Sequence, residues 1–183
     1  MNANGAPSYI DLLRRFHADV TPHSGRTLID HLSGTYRLLH NWGNPAEICL
    51  AGLFHSIYGT NIFTFRSASF SDRPTIRAAI GAPAERLAFL FCVSERPVAF
   101  LKAAAERHYV LTDIVHGGDL PIERDELKAL IEIEVANFLE QPDDINDLKL
   151  IYRTIVSITQ SGPLLSASAF EALAAAATAS SNP

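Results

Sequence analysis

"NPAEICLAGLFHSIYGT", residues 44–60, decides the fold of this chain. Asn44 followed by Pro45 opens a helix, because proline's fixed φ suits a first helical position. From there Ile48, Leu50, Leu53, Phe54 and Ile57 leave almost no polar face, the pattern of a central, buried helix. The run ends on His55, and Ser56 follows where a carboxylate would complete a metal half-site.

Working outward, helical punctuation continues on both sides. Thr27 caps "TLIDHLSGTYRLLHNWG", with Leu28, Leu32, Leu39 and Trp42 on one stripe and Gly43 as its stop. Before it, Ser8 caps a helix carrying Ile10, Leu12, Leu13 and Phe16 that closes near Val20. After it, the serines, aromatics and Pro74 of "TNIFTFRSASFSDRP" predict an irregular loop folded over a pocket. Helices resume at "PTIRAAIG" and "APAERLAFLFCVSERP", and Pro97 separates the next, "VAFLKAAAERHYVL". "TDIVHGGDLP" reads as loop. "IERDELKALIEIEVANFLEQ" and "DDINDLKLIYRTIVSIT" read as long amphipathic helices with acidic first turns. "SASAFEALAAAATASSNP" gives a short last helix and a tail. No repeat and no strand pair stand out. The expectation is an all-α helical bundle in one domain, 9–177, between flexible ends at 1–8 and 178–183.

Composition bounds the function. With 183 residues and 48% hydrophobic residues, one domain with a real core is expected. A net charge of −5 argues against general attraction to nucleic acid or an anionic membrane. Cys49 and Cys92 lie in apolar helical runs and read as buried hydrophobes, which suits a reducing compartment. "MNANGAPSY" has neither a basic start nor an apolar core, so no signal peptide is expected, and no apolar run is long enough to span a membrane. A soluble, cytoplasmic protein acting on a small-molecule ligand is the expectation.

No phosphate-binding glycine loop, dinucleotide fingerprint, paired C-x-x-C or H-E-x-x-H is present. What remains is the placement of His31, mid-helix, and His55, at the end of the buried helix. Neutral imidazole is the commonest protein ligand for transition metals, and two on neighbouring helices can face one ion. A hydrogen-bonded core histidine is the plain alternative for each.

The stretch "HSGRTLIDHLSGTYRLLHNWGNPAEICLAGLFHSIYGT" resembles the opening of the HD superfamily, in particular the RelA/SpoT-type alarmone hydrolase domains. There a Ser-Gly precedes a metal-binding histidine, and an apolar helix ends in His-Asp with an acidic pair nearby. Ser24-Gly25 and His31 occupy the first places, and His55-Ser56 the second. "IRAAIGAPAERLAFLF" resembles the segment after the motif, and "EIEVANFLEQ" the late helix whose Ala-Asp supplies a last carboxylate, with Asn137 in that place. The resemblance spans about Tyr9 to Gln141 and implies an HD-like fold with a manganese or iron site on His31, His55 and Asn137. Ser56 and Asn137 both remove negative charge from that set, and "IYG" holds no acidic pair, so ordinary alarmone hydrolysis is not expected.

Three functions follow as expectations. The first is metal-assisted hydrolysis of a phosphate ester, with Arg26 and Arg66 as substrate-binding cations. The second is a non-hydrolytic enzyme with an altered iron site or a metal-free one. There His55 acts as general acid or base, with Ser56 or Tyr58 as a polar neighbour or proton relay. Tyr58 stands three residues past His55, which on a continuing helical turn puts both on one face. Glu134, three before Asn137, is the leading acid candidate. For Glu134 a solvated charge beside Glu132 is the rival reading. The third is a non-catalytic ligand-binding domain. His108, Asp113, His116 and Asp119 are additional ligand candidates, although Asp113 as a turn cap and His116 as an exposed loop residue is the preferred reading. Arg37 reads as solvated, and Tyr36 and Trp42 as core. The Ala169–Ala177 helix leaves a homodimer open.

Overall fold

The structure is a computed structural model that describes residues 8–141, 145–158 and 163–179. The expected terminal segments, apart from Ser8 and residues 178 and 179, lie outside the described residues, as do Asp143 and Asp144 of the expected acidic first turn.

Nine helices carry the described fold: α1 (Tyr9–Arg15), α2 (Leu28–Asn41), α3 (Ala46–Phe54), α4 (Arg73–Ile80), α5 (Ala82–Val93), α6 (Val98–Glu106), α7 (Arg124–Glu140), α8 (Ile145–Ile158) and α9 (Ala167–Ala179). Capping boxes on Ser8/Asp11 and Thr27/Asp30 start α1 and α2, satisfying backbone N–H groups that the first turn leaves without partners. Helix α1 ends at Arg15, short of Val20, because His17 turns left-handed (φ 60°).

Helix α3 is the centre, as its all-round apolar character requires. It packs against α2, α5 and α7, burying Cys49, Ala51, Leu53 and Phe54. The core continues through Leu28, Leu32 and Leu39 of α2, Leu90 and Phe91 of α5, and Leu130, Ile133 and Ala136 of α7. Helix α7 departs from the amphipathic expectation. From Leu127 to Phe138 every residue but Lys128 is buried, Glu132 and Glu134 included. Neighbours α2, α3, α5, α6, α8 and α9 surround it, so its polar residues must find partners inside the protein.

Two small hairpins correct the expectation of no strand pair. Strands β1 (Pro22–His23) and β2 (Arg26–Thr27) pair antiparallel across Ser24 and Gly25, both at positive φ, the backbone a two-residue primed turn requires. Strands β3 (Val110–Thr112) and β4 (Asp119–Pro121) pair across a turn closed by Gly117 and Gly118. Helix α6 therefore stops at Glu106, where Arg107 adopts left-handed geometry, and Val110 and Leu111 join the hairpin rather than the helix.

Helix α9 runs to Ala179 and so includes residues 178 and 179 of the expected tail. Its buried residues, Ala169, Leu173 and Ala177, face this chain's own core, against α7 and α8. Among the described residues no helix is long and apolar enough to cross a membrane.

Candidate metal centre

Helices α2, α3 and α7 bring His31, His55 and Asn137 to one point. His31 Nε2 lies 3.2 Å from His55 Nε2, Asn137 Oδ1 lies 3.1 Å from the first and 3.0 Å from the second, and all three residues are buried. The protonation pattern follows from the opposite ring atoms. His55 Nδ1–H donates to the Gly52 carbonyl at 2.7 Å, and a carbonyl only accepts, so the neutral ring keeps its lone pair on Nε2. His31 Nδ1 meets the Glu140 carboxylate, which leaves Nε2 unprotonated there too. Burial drives both imidazoles toward the neutral form. His31 is pushed down to about 3, with the charges of His23 and Arg26 adding to burial, and His55 falls well below the usual histidine range.

Two lone pairs and an amide oxygen thus face each other in a nearly equilateral triangle. Ligands at right angles around one octahedral ion, at about 2.1 Å each, stand about 3.0 Å apart, so the three atoms fit one face of such a site. Reversing the Asn137 amide would place hydrogens there instead. Yet the two ring nitrogens subtend about 60° at Asn137, half the roughly 120° between amide hydrogens, so one NH₂ reaches both only with bent bonds. Among the described residues no group of three or more His, Cys, Asp and Glu side chains gathers for a metal. The convergent set is two histidines and an amide.

A cleft of about 310 Å³ opens on Asn137, lined also by His23, Phe63, Arg96, Phe138 and Gln141. The loop after α3 supplies Ile62 and Phe63 to its wall. Hairpin β1–β2 lays the His23 ring flat on His31 (centroids 4.3 Å apart, 9° between planes), with Phe63 against its edge. Arg96 is 5% exposed, stands over the Phe91 ring and donates from Nη1 to Glu134 Oε1 at 2.7 Å. Among the described residues, His23 Nδ1 and Arg96 Nε are buried with no hydrogen-bond partner. Both residues line the cleft.

The other expected site residues lie differently. Glu134 is a buried partner of Arg96 instead of a solvated charge. Glu132 is buried as well, accepting from Asn44 Nδ2 and from Ser166 N–H and O–H, which ties α9 to the α2–α3 turn. Tyr58 points away from His55. Its O–H donates to Glu85 Oε1 at 3.2 Å, and Glu85 also holds Arg73 and Arg77. Ser56 is buried in the turn after α3, its carbonyl accepting from Gly59 N–H. Arg26 binds Glu140. Arg66 is exposed, stacks toward Phe70 and lines a second cleft with Tyr58, Thr60, Asn61 and Thr64. Asp113 caps its own turn, accepting from Val115 and His116 N–H and from His116 Nδ1–H. Cys92 donates to the His55 carbonyl from a buried position, its thiol pushed up to about 12 by burial.

His23, Arg96 and Glu140 are the residues that sequence reasoning missed. For Glu140 a signal existed: it stands three residues past Asn137, as Glu134 stands three before it, so all three share a helical stripe.

A family model described as "Domain of unknown function (DUF6817)" matches residues 12–96, the part of the chain that holds His23, His31, His55 and Arg96. No curated protein and no solved structure matches the chain.

Proposed function

We propose that this chain is a metal-assisted enzyme of the HD superfamily kind, hydrolysing a small phosphate ester in the cleft beside Asn137. The observation that carries the reading is the triangle of acceptor atoms on His31, His55 and Asn137, 3.0–3.2 Å on a side. His31, His55 and Asn137 would hold the ion, and manganese or iron there supplies a Lewis acid and a more acidic bound water. All three donors are neutral, so they would offset little of a divalent ion's charge toward an incoming anion. Arg96 and His23 line the cleft and would supply hydrogen bonds to that anion's oxygens, and Glu134 fixes the Arg96 guanidinium. Phe63 and Ile62 narrow the opening and limit water. The acidic pair of the alarmone hydrolases has no counterpart at Tyr58 and Gly59, which argues for a different phosphate ester.

The rival reading is a metal-free, non-catalytic binding domain, favoured by the same Asn137 amide if it is reversed to donate. Metal analysis of protein purified without chelators separates the two. Stoichiometric manganese or iron that vanishes in His31→Ala and in His55→Ala supports the enzyme. Metal-free protein from metal-replete cells overturns it. Turnover of a phosphate-ester panel, lost on Arg96→Ala, then tests the substrate class.

A further inference from the structure

The atoms facing the proposed ion carry no formal charge, and a buried carboxylate stands directly behind them. Glu140, on the last turn of α7, is 7% exposed at its side chain, and its Oε2 touches both His31 Nδ1 and Arg26 Nη2. Arg26 Nη2 also donates to the Glu140 backbone carbonyl at 3.0 Å. An oxygen already accepting from a guanidinium accepts from the imidazole as well, so the proton sits on His31 Nδ1. The lone pair is then on Nε2, the atom that faces His55 and Asn137. Gln141 Nε2 straddles the ring edge, 3.2 Å from Nδ1 and 3.3 Å from Nε2, and so selects neither.

Helix α2 leaves a slot for this carboxylate. A Cβ at Gly34, three residues past His31, would stand 2.6 Å from both Cγ and Cδ of Glu140. Contacts of that length force a shift, and the Glu140 head, tied to Arg26 and His31, is what would move.

We propose that Glu140 is the positioning residue of the site: it fixes His31 with Nε2 free for a metal, and supplies from behind the ring the negative charge that Ser56 and Asn137 no longer provide. Carboxylates in that position orient a ligating histidine and raise its basicity. The inference rests on reading the site as a metal centre, and the test separates the two.

Imidazole ¹⁵N NMR on metal-free protein reads the His31 tautomer, and competition against a chromogenic chelator reads the affinity for Co²⁺ alone. Glu140→Ala is expected to lose the Nδ1–H signature of His31 and to weaken Co²⁺ binding about 10- to 100-fold. The isosteric Glu140→Gln keeps an acceptor and loses the charge, so it retains the tautomer and binds Co²⁺ at an intermediate strength. It also serves if the alanine variant does not fold. A wild-type tautomer in Glu140→Ala, or wild-type Co²⁺ affinity in both variants, overturns the proposal. Wild-type protein that binds no Co²⁺, while Glu140→Ala still shifts the tautomer, removes the metal reading and leaves the positioning of His31 standing.

Discussion

Glu85→Gln tests whether Tyr58 is part of a structural latch or of the chemistry. Glu85 is fully buried, and five donors meet its carboxylate: Arg73 Nε at 2.6 Å and Nη2 at 3.2 Å, Arg77 Nε at 3.2 Å and Nη2 at 2.9 Å, and Tyr58 O–H at 3.2 Å. Glutamine keeps the shape and the bond to Tyr58 but turns an NH₂ group toward guanidinium donors. Summing the bonds would overstate the loss, since Arg77 is 51% exposed and Arg73 25%, so both heads rehydrate in part. One to two charged hydrogen bonds remain as the net cost, about 3 kcal/mol. For a chain of this size that lowers Tm by roughly 6–12 °C. Urea denaturation should show a lower midpoint with an unchanged m-value. The effect has a sign in pH. The two arginines hold the Glu85 carboxyl below its ordinary range despite the opposing effect of burial. Its contribution is therefore present above the unfolded carboxylate pKa, about 4.3, and is lost as pH falls through the lower folded value. Wild type and variant should converge below that pH. A loss under about 1 kcal/mol, or a gap that persists into acid, would mean that Glu85 does not hold the two arginines and Tyr58 as a charged latch.

Tyr58→Phe should cost about 1 kcal/mol of stability. It should leave metal uptake unchanged, because the hydroxyl faces Glu85; a loss of metal would return Tyr58 to the site. Glu132→Ala strands donors on Asn44 and Ser166 and should cost about 2 kcal/mol. Limited proteolysis should then cut before α9 faster than in wild type, and an unchanged cleavage pattern would mean that Glu132 does not anchor that helix. In metal-free protein the depressed pKa values of His31 and His55 make the unfolded chain the better proton acceptor below about pH 6.5. Stability should fall from that pH downward, by up to about 1.4 kcal/mol per pH unit for each ring. His31→Phe should flatten the slope in a pH series of urea melts, and an equal slope would show that His31 is not buried neutral.

Local physics alone settled much of the framework. The all-round apolar residues of α3 could only be buried, and Thr27, Asp30 and Gly43 bounded α2 through caps that act within four residues. The two histidines were visible because each sits on or at the end of such a helix. The brief hairpins were not, since β1–β2 and β3–β4 contain two or three residues per strand and show no alternation to read.

Partners across the core were decided by tertiary structure. Periodicity states which face a residue occupies, not what that face meets. Glu140 reaches His31 across 109 residues and Arg96 reaches Glu134 across 38. The same limit misplaced Tyr58: spacing put it on a face with His55, but the chain leaves α3 at Phe54, and the turn to Gly59 carries the ring to Glu85. The charges on α7 could be read only once α7 was found enclosed, because desolvation leaves a buried carboxylate no alternative to a partner. The sequence by itself determined that helices dominate and that His55 ends a buried one. Only the assembled fold determined that His31, His55 and Asn137 converge, with Glu140 behind them.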